Sequence, residues 1–212
     1  MPAGVQEALV RADAERNRAA VLAAAELAYA EQGLDVSLNE VARRANIGNA
    51  TLYRHFATRE ALLAEVYSVH LERYCALAEE AAAAKDPVIA LRDCVLATCA
   101  LQAGNRGLAD LLASLRPLTP HVEELRTRHH RAIAALFERA VGGGRIRADA
   151  GPPDLAVLLI ANAGLVHRTA EHAPRSSARL VALWLAGILG DGVAVPTPEP
   201  PSDPEIRLAL HD

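Results

Sequence analysis

Aromatic side chains are scarce: Phe 2, Trp 1 and Tyr 4 make up 3% of 212 residues. Sheets draw on aromatic and β-branched residues, and the β-branched residues here are mostly isolated, so composition argues against sheets. Ala and Leu dominate instead, which predicts an all-α fold. Cysteine is equally short. Cys75, Cys94 and Cys99 are odd in number and fall inside helical patterns, which excludes a disulfide framework and fits a reducing compartment. No long hydrophobic run is present either: the longest, "LAVLLIANAGLV" from Leu155 to Val166, is too short for a membrane span and contains Asn162. No apolar stretch follows the first charges in "MPAGVQEALVRADAERNR", so a secretory signal is not expected. A cytoplasmic location without a membrane partner is the expectation. Positive charge is not in surplus, the net being −4 and the pI about 6.1, which excludes a protein that coats nucleic acid indiscriminately. Any site for a polyanion must be local.

Catalytic signatures are also missing. There is no G-x-S-x-G, no phosphate loop, no H-E-x-x-H, and no nucleophile, base and orienting group at a shared spacing. Neither an enzyme nor a cofactor is expected. His121, His129 and His130 lack the regular pairing with carboxylates or thiols of a metal site, and Cys94 and Cys99, five apart, sit on different faces of one helix.

What is present is helical periodicity. Val21, Leu22, Ala25, Ala28 and Tyr29 predict a helix from about Asp13 to Glu31, stopped at Gly33, with Tyr29 on its inner face. Ser37 and Glu40 form an S-x-x-E capping box, each side chain satisfying a free backbone N–H. A second helix follows with Leu38, Val41, Ala42 and Ala45 inward and Asn39, Arg43 and Arg44 outward. Asn46 can end it in the left-handed conformation. After the turn Asn46-Ile47-Gly48, a helix of about two turns reaches Phe56 with only Leu52 and Phe56 inward. Thr58 caps a fourth helix whose apolar face continues from Arg59 toward Ala84.

Two short helices joined by a three-residue turn, the second with a polar outer face, are the signature of a helix-turn-helix. Asn49, Thr51, Tyr53, Arg54 and His55 offer groups that bond base edges and phosphates. Residues 41–59 hold Arg43, Arg44, Arg54 and Arg59 without an Asp or Glu, whereas residues 1–67 count seven basic against nine acidic. This predicts a basic spot on an acidic body.

The segment Thr51-Leu52-Tyr53-Arg54-His55-Phe56, followed by Thr58-Arg59-Glu60-Ala61-Leu62, resembles the TetR family of bacterial transcriptional regulators. Their N-terminal module typically ends in T-L-Y-x-H-F before a K/R-E-A-L helix start, and the resemblance covers roughly residues 15–65. It implies that Asn49, Ala50, Thr51 and Arg54 face bases, that Tyr53 and His55 contact the DNA backbone, and that Arg59 binds phosphate. Ser37 and Asn39 match positions that also approach DNA. One departure stands out: Asn46-Ile47-Gly48 replaces the usual Gly-Val-Ser, so the Ser hydroxyl cap is lost, although Gly also serves at an N-cap.

Beyond Asp86 the helices lengthen, with expected spans from Pro87 to Ala103, Leu108 to Leu115, His121 to Val141, Asp154 to Glu171 and Ser176 to Leu189. The resemblance implies that this half holds a small-molecule effector pocket and a dimer interface. The last two helices are apolar on more than one face, and a helix of that kind must bury both. Ala156, Leu159, Ala163, Leu180, Leu183, Trp184 and Ile188 are therefore assigned to a two-fold four-helix homodimer interface, a monomer core being the alternative. Pockets place few polar groups among many apolar ones, which makes Cys94, Cys99, Gln102, Asn105, Arg106, His129, Asn162 and His167 the ligand-binding candidates.

The expected organisation is residues 1–58 as an N-terminal arm and helix-turn-helix DNA-binding domain and 59–192 as a helical effector-binding and dimerisation domain. Residues 193–212 follow as an extended, solvated, flexible Pro-rich acidic tail. The expected function is a ligand-responsive dimeric repressor, with double-stranded DNA, a second copy and an unidentified small molecule as partners. The alternatives are an activator or an effector-independent regulator and, outside DNA binding, a helical protein-interaction adaptor.

Overall fold

A computed structural model describes residues 3–114, 117–190 and 193–211; for 3–10 and 210–211 it describes the backbone only. Among the described residues every regular element is helical, apart from one isolated antiparallel bridge between Ile146 and Leu189. Leu115, expected to end a helix, and residue 192, an expected domain edge, lie outside the described residues.

The first helix, α1 (Ala3–Gln32), starts ten residues before the expected Asp13 and ends where Gly33 takes φ +80. The positive φ favours glycine, and a Cβ there would lie 2.6 Å from Asp110 Oδ2 and 2.7 Å from His167 Cε1, displacing both side chains. Then come α2 (Leu38–Arg44), α3 (Asn49–His55) and α4 (Arg59–Val66). The expected fourth helix is broken at Tyr67, after which α5 (Ser68–Ala83) begins.

Asp86 caps α6 (Pro87–Gly104) by accepting from the N–H groups of Val88 and Ile89 at 3.0 and 3.1 Å. Asn105 separates α6 from α7 (Arg106–Leu112), capping the latter through Leu108 N at 2.9 Å. Beyond lie α8 (Pro120–Gly142), α9 (Pro152–Thr169) and α10 (Ser176–Ile188). The tail departs from the extended expectation, because residues 203–211 form α11 (Asp203–His211) packed on α9, with Ala209 buried. Ser202 starts that helix, its N–H and hydroxyl both donating to Glu205 at 2.6 and 2.8 Å.

Two cores result. The first gathers Val21, Tyr29, Val41, Leu52, Phe56, Leu62 and Leu63, so α4 packs with the N-terminal helices, and the division expected at residue 58 cuts it from that core. The second gathers Leu91, Val95, Cys99, Leu136, Phe137, Leu158 and Leu185 from α6, α8, α9 and α10. Helix α6 is long and apolar enough to span a membrane by length and composition alone; here its buried face packs against α5, α8, α9 and α10. Helix α7 joins the first core through Leu108 and Leu111 and crosses α1 there. A side chain at Gly107 would collide with the Tyr67 hydroxyl and would lie 2.8 Å from Tyr29 O, so only hydrogen fits at this crossing. Tyr29 is fully buried there, as its inner-face position requires.

Candidate nucleic-acid interface and effector cavity

Short helices need anchoring because they are marginal alone. The support helix α2 starts at Ser37, whose hydroxyl accepts from Glu40 N at 3.2 Å. The reciprocal half of the expected capping box is overturned: the Glu40 carboxylate accepts instead from Arg43 at 2.7 and 2.8 Å and from Arg44 at 2.8 Å. Charged guanidinium donors are stronger partners for a carboxylate than a backbone N–H. They hold the Glu40 carboxyl down to about 2. Asn46 adopts φ 54 and lets the chain turn, Ile47 N donating back to Ala42 O at 3.0 Å. Gly48 then caps α3 with extended backbone and no side-chain bond, as the departure at this position implies.

Leu52 and Phe56, 1% and 2% exposed, fasten α3 to the core. Arg18 of α1 lies 5.3 Å from the Phe56 ring centroid and also pairs with Glu65 of α4, tying three elements together. Asn49, Ala50, Tyr53 and Arg54 are exposed, Tyr53 by 51%, and Thr51 is half-buried. Ser37 and Asn39 stand on the same exposed side, and Asn49 Nδ2 donates to Asn39 Oδ1 at 2.9 Å, joining α2 to the start of α3. His55 and Arg59 turn partly inward. One nitrogen of each, Nε2 and Nε, is buried with no hydrogen-bond partner among the described residues, so His55 does not stand fully outward as expected.

The basic spot needs correction as well. Arg43 and Arg44 are neutralised by Glu40, just outside the window counted in the sequence, and Arg44 also pairs with Glu31 at 2.8 Å. Arg54 and Arg59 make no ion pair among the described residues, so the net positive charge near α3 rests on them.

A second uncovered surface lies on α9 and α10. Leu159, Ala163 and Ile188, expected at an interface, are buried in the chain's own core, whereas Ala156 and Leu183 are exposed and Leu180 and Trp184 half-buried. Their exposed neighbours are Val157 (65%), Ile160 (58%), Ala161, Gly164, Ala186 and Gly187. Helix α9 thus carries two stripes, Leu155, Leu158, Asn162 and Val166 inward and Val157, Ile160, Ala161 and Gly164 outward. Helical spacing groups each stripe on one side of the helix, but it does not say which stripe the chain buries.

A cavity of about 300 Å³ opens between α5, α7, α8 and α9. Leu71, Leu111, Ile133, Leu155 and Leu159 give it apolar walls; its polar groups are Tyr74, Ser114, Arg126, His129 and His130. Of the eight residues expected in a pocket only His129 lines it. Its ring stacks on Tyr74 at 3.9 Å between centroids, and burial pushes it down to about 4, so it is neutral at pH 7. His167 lines a second cavity with Leu34, Asp35, Asp110 and Ser114, and the other six make contacts elsewhere. Cys94 and Cys99 lie in the second core, where burial raises their thiols to about 11 and 12. Gln102 and Asn162 form a buried network: Asn162 Nδ2 donates to Gln102 Oε1 at 2.9 Å, Gln102 Nε2 to Leu159 O at 3.1 Å, and Ser177 Oγ to Asn162 Oδ1 at 2.7 Å. Asn105 caps α7 and accepts from the Tyr67 hydroxyl at 3.1 Å.

Arg106 and His167 belong to the contacts that α7 makes with α1 and with α9. Arg106 Nη1 donates to Glu31 O at the end of α1 at 3.0 Å. Asp110 accepts from Leu34 N at 2.9 Å and bonds His167 Nε2 at 2.6 Å. Two neighbouring helices, α7 and α9, thereby grip the turn that leads into α2. Sequence reasoning missed Asp110 because a single acidic residue in an apolar helix carries no spacing signal.

Comparison with known proteins agrees with this geometry. The model of bacterial regulatory proteins of the tetR family matches residues 21–66, and the C-terminal domain model of SbtR-like transcriptional regulators matches 86–189. A TetR transcriptional regulator from Streptomyces coelicolor is 31% identical over 82% of this chain and 99% of its own, with a TM-score of 0.50. SmeT, the repressor of the Stenotrophomonas maltophilia multidrug efflux pump SmeDEF, is 22% identical over 87% and 97%, with a TM-score of 0.57. Its complex with triclosan scores 0.56 at 21% identity over 88% and 99%. At that identity the likeness to SmeT is one of fold. No curated protein matches the chain in sequence.

Proposed function

The chain belongs to the TetR family of bacterial regulatory proteins and is a DNA-binding transcriptional regulator; from that premise we propose that it is a homodimeric repressor released from a near-palindromic operator by a small-molecule effector. One observation carries the DNA side of the reading. Helix α3 is anchored by Leu52 and Phe56 and presents Asn49, Tyr53 and Arg54 to solvent on the face opposite its core. In this reading Asn49, Ala50, Thr51 and Arg54 face bases. Tyr53, His55, Arg59, Ser37 and Asn39 serve the backbone, phosphate contacts fixing register while base contacts give sequence preference.

The apolar face of α9 and α10 supports pairing with a second copy. Exposed Val157, Ile160 and Leu183 form an uncovered apolar surface of the kind that marks an association site. Two-fold pairing would present two copies of α3, and a spacing of about 34 Å would place them in successive major grooves.

The cavity supports an effector, and SmeT, which shares the fold, is itself a repressor that binds triclosan. Coupling has a physical route. Leu111 and Leu112 of α7 line the cavity, while Asp110 beside them holds Leu34 N, three residues before the α2 cap. An occupant that shifts α7 would move the α1–α2 turn, and a coupling of about 1–3 kcal/mol would change operator occupancy severalfold to a hundredfold.

A mobility-shift titration on the DNA flanking the gene, run at several salt concentrations, tests the reading. Tight binding to one sequence, with log K falling linearly as log salt rises, is the expected result. Binding of equal strength to unrelated duplexes would contradict it.

A further inference from the structure

The cavity walls are apolar, and none of its described lining residues is acidic; its one permanent charge is the guanidinium of Arg126. That side chain is 20% exposed and is steadied by Glu123, which accepts from Nη1 at 2.9 Å from outside the lining. A guanidinium is a planar fork of five N–H donors suited to a carboxylate. The remaining polar groups, the Tyr74 hydroxyl, the Ser114 hydroxyl and the rings of His129 and His130, add donors and no fixed negative charge. His129 is held uncharged by burial, so it does not duplicate the role of Arg126. Glu123 balances part of that charge from outside the cavity, but the lining itself offers a cation no carboxylate, and a wholly apolar molecule would strip water from Arg126 without replacing it. At about 300 Å³ the space is at the small end for a ligand pocket.

We infer that the effector is a small amphiphilic acid, its apolar body between Leu71, Leu111, Ile133 and Leu159 and its carboxylate on Arg126. The inference rests on reading this cavity as the effector site, and it adds the chemical class that the site selects.

Three probes with one body and different heads test it: decanoate, decanol and decylamine, titrated calorimetrically into the full-length protein at pH 7.5. Decanoate should bind at least about tenfold more tightly than decanol, the worth of one charge-assisted hydrogen bond, and decylamine should bind least. Arg126→Gln should bring decanoate to the level of decanol, and Arg126→Lys should recover part of the preference. If Arg126→Gln fails to fold by circular dichroism, the ranking of the three probes on the wild-type chain decides alone. Equal or tighter binding of decanol or decylamine, no binding of any probe, or a preference that survives in folded Arg126→Gln would overturn the inference. A parallel operator mobility shift separates the two readings. Preferential decanoate binding that leaves the operator bound supports the ligand class and removes the effector role. Release by decanol but not by decanoate keeps the role and overturns the class.

Discussion

The outer face of α3 and the outer face of α9 and α10 are both left uncovered by the chain's own cores, yet they ask for opposite partners. On α3 the uncovered groups are Asn49, Tyr53 and Arg54, which lose little by staying in water and can exchange it for base edges and phosphates. On α9 and α10 they are Val157, Ile160 and Leu183, for which water is the unfavourable state. A surface of the first kind waits for a hydrated, charged partner; one of the second kind is completed by a matching apolar face. The difference also predicts which substitutions each surface tolerates.

The largest effect is expected on the apolar face. Val157→Glu combined with Leu183→Glu should convert the proposed dimer to a monomer in sedimentation and drop operator affinity toward its nonspecific level, about a thousandfold or more. An unchanged mass would transfer the interface to another surface. Next comes the anchor beneath the polar face. Leu52→Ala should destabilise the chain by about 2–5 kcal/mol in denaturant titrations, whereas exposed Ala50→Ser should change stability by less than about 0.5 kcal/mol.

A pH-dependent effect concerns the wall of the cavity behind the apolar face. The pKa of His129 is lowered from 6.5 to about 4 in the folded chain. Between those values the unfolded chain takes up the proton and the folded chain does not, so this residue makes stability fall as pH drops through that window. Denaturant midpoints measured from pH 7 to pH 4 should therefore fall less steeply for His129→Gln than for the wild type. Identical slopes would show that the imidazole titrates normally.

The two surfaces were not equally legible in the sequence. Around α3, spacing and turn chemistry are local: Gly33, Ser37, Asn46, Gly48, Leu52 and Thr58 each act within a few residues, and the structure places each cap and turn as local chemistry requires. What failed there was long in reach or just outside the window. Glu31 and Glu40 neutralise arginines that looked free when residues 41–59 were counted alone.

In the larger half the periodicity revealed helices but not partners. Leu159 and Ile160 are adjacent and similar, yet one is 5% and the other 58% exposed, and only the packing of α9 against α6, α7 and α10 decides which is which. Polar residues misled for the same reason. Gln102 and Asn162 look like ligand contacts in an apolar run, but across 60 residues of chain they satisfy each other, as buried polar groups must. The tail misled through composition: Pro-rich up to residue 201, it then carries Ser202 and Glu205 at capping distance, enough to start α11.

The central claim is that the exposed side chains of α3 read a sequence, and the most direct measurement is the affinity of wild type, Arg54→Ala and Tyr53→Ala across an operator and its single base-pair variants. Arg54→Ala should lose about 1–3 kcal/mol and flatten the preference at one base pair in each half-site, while Tyr53→Ala should weaken all variants alike. An Arg54→Ala profile parallel to that of the wild type at every base pair would contradict the account.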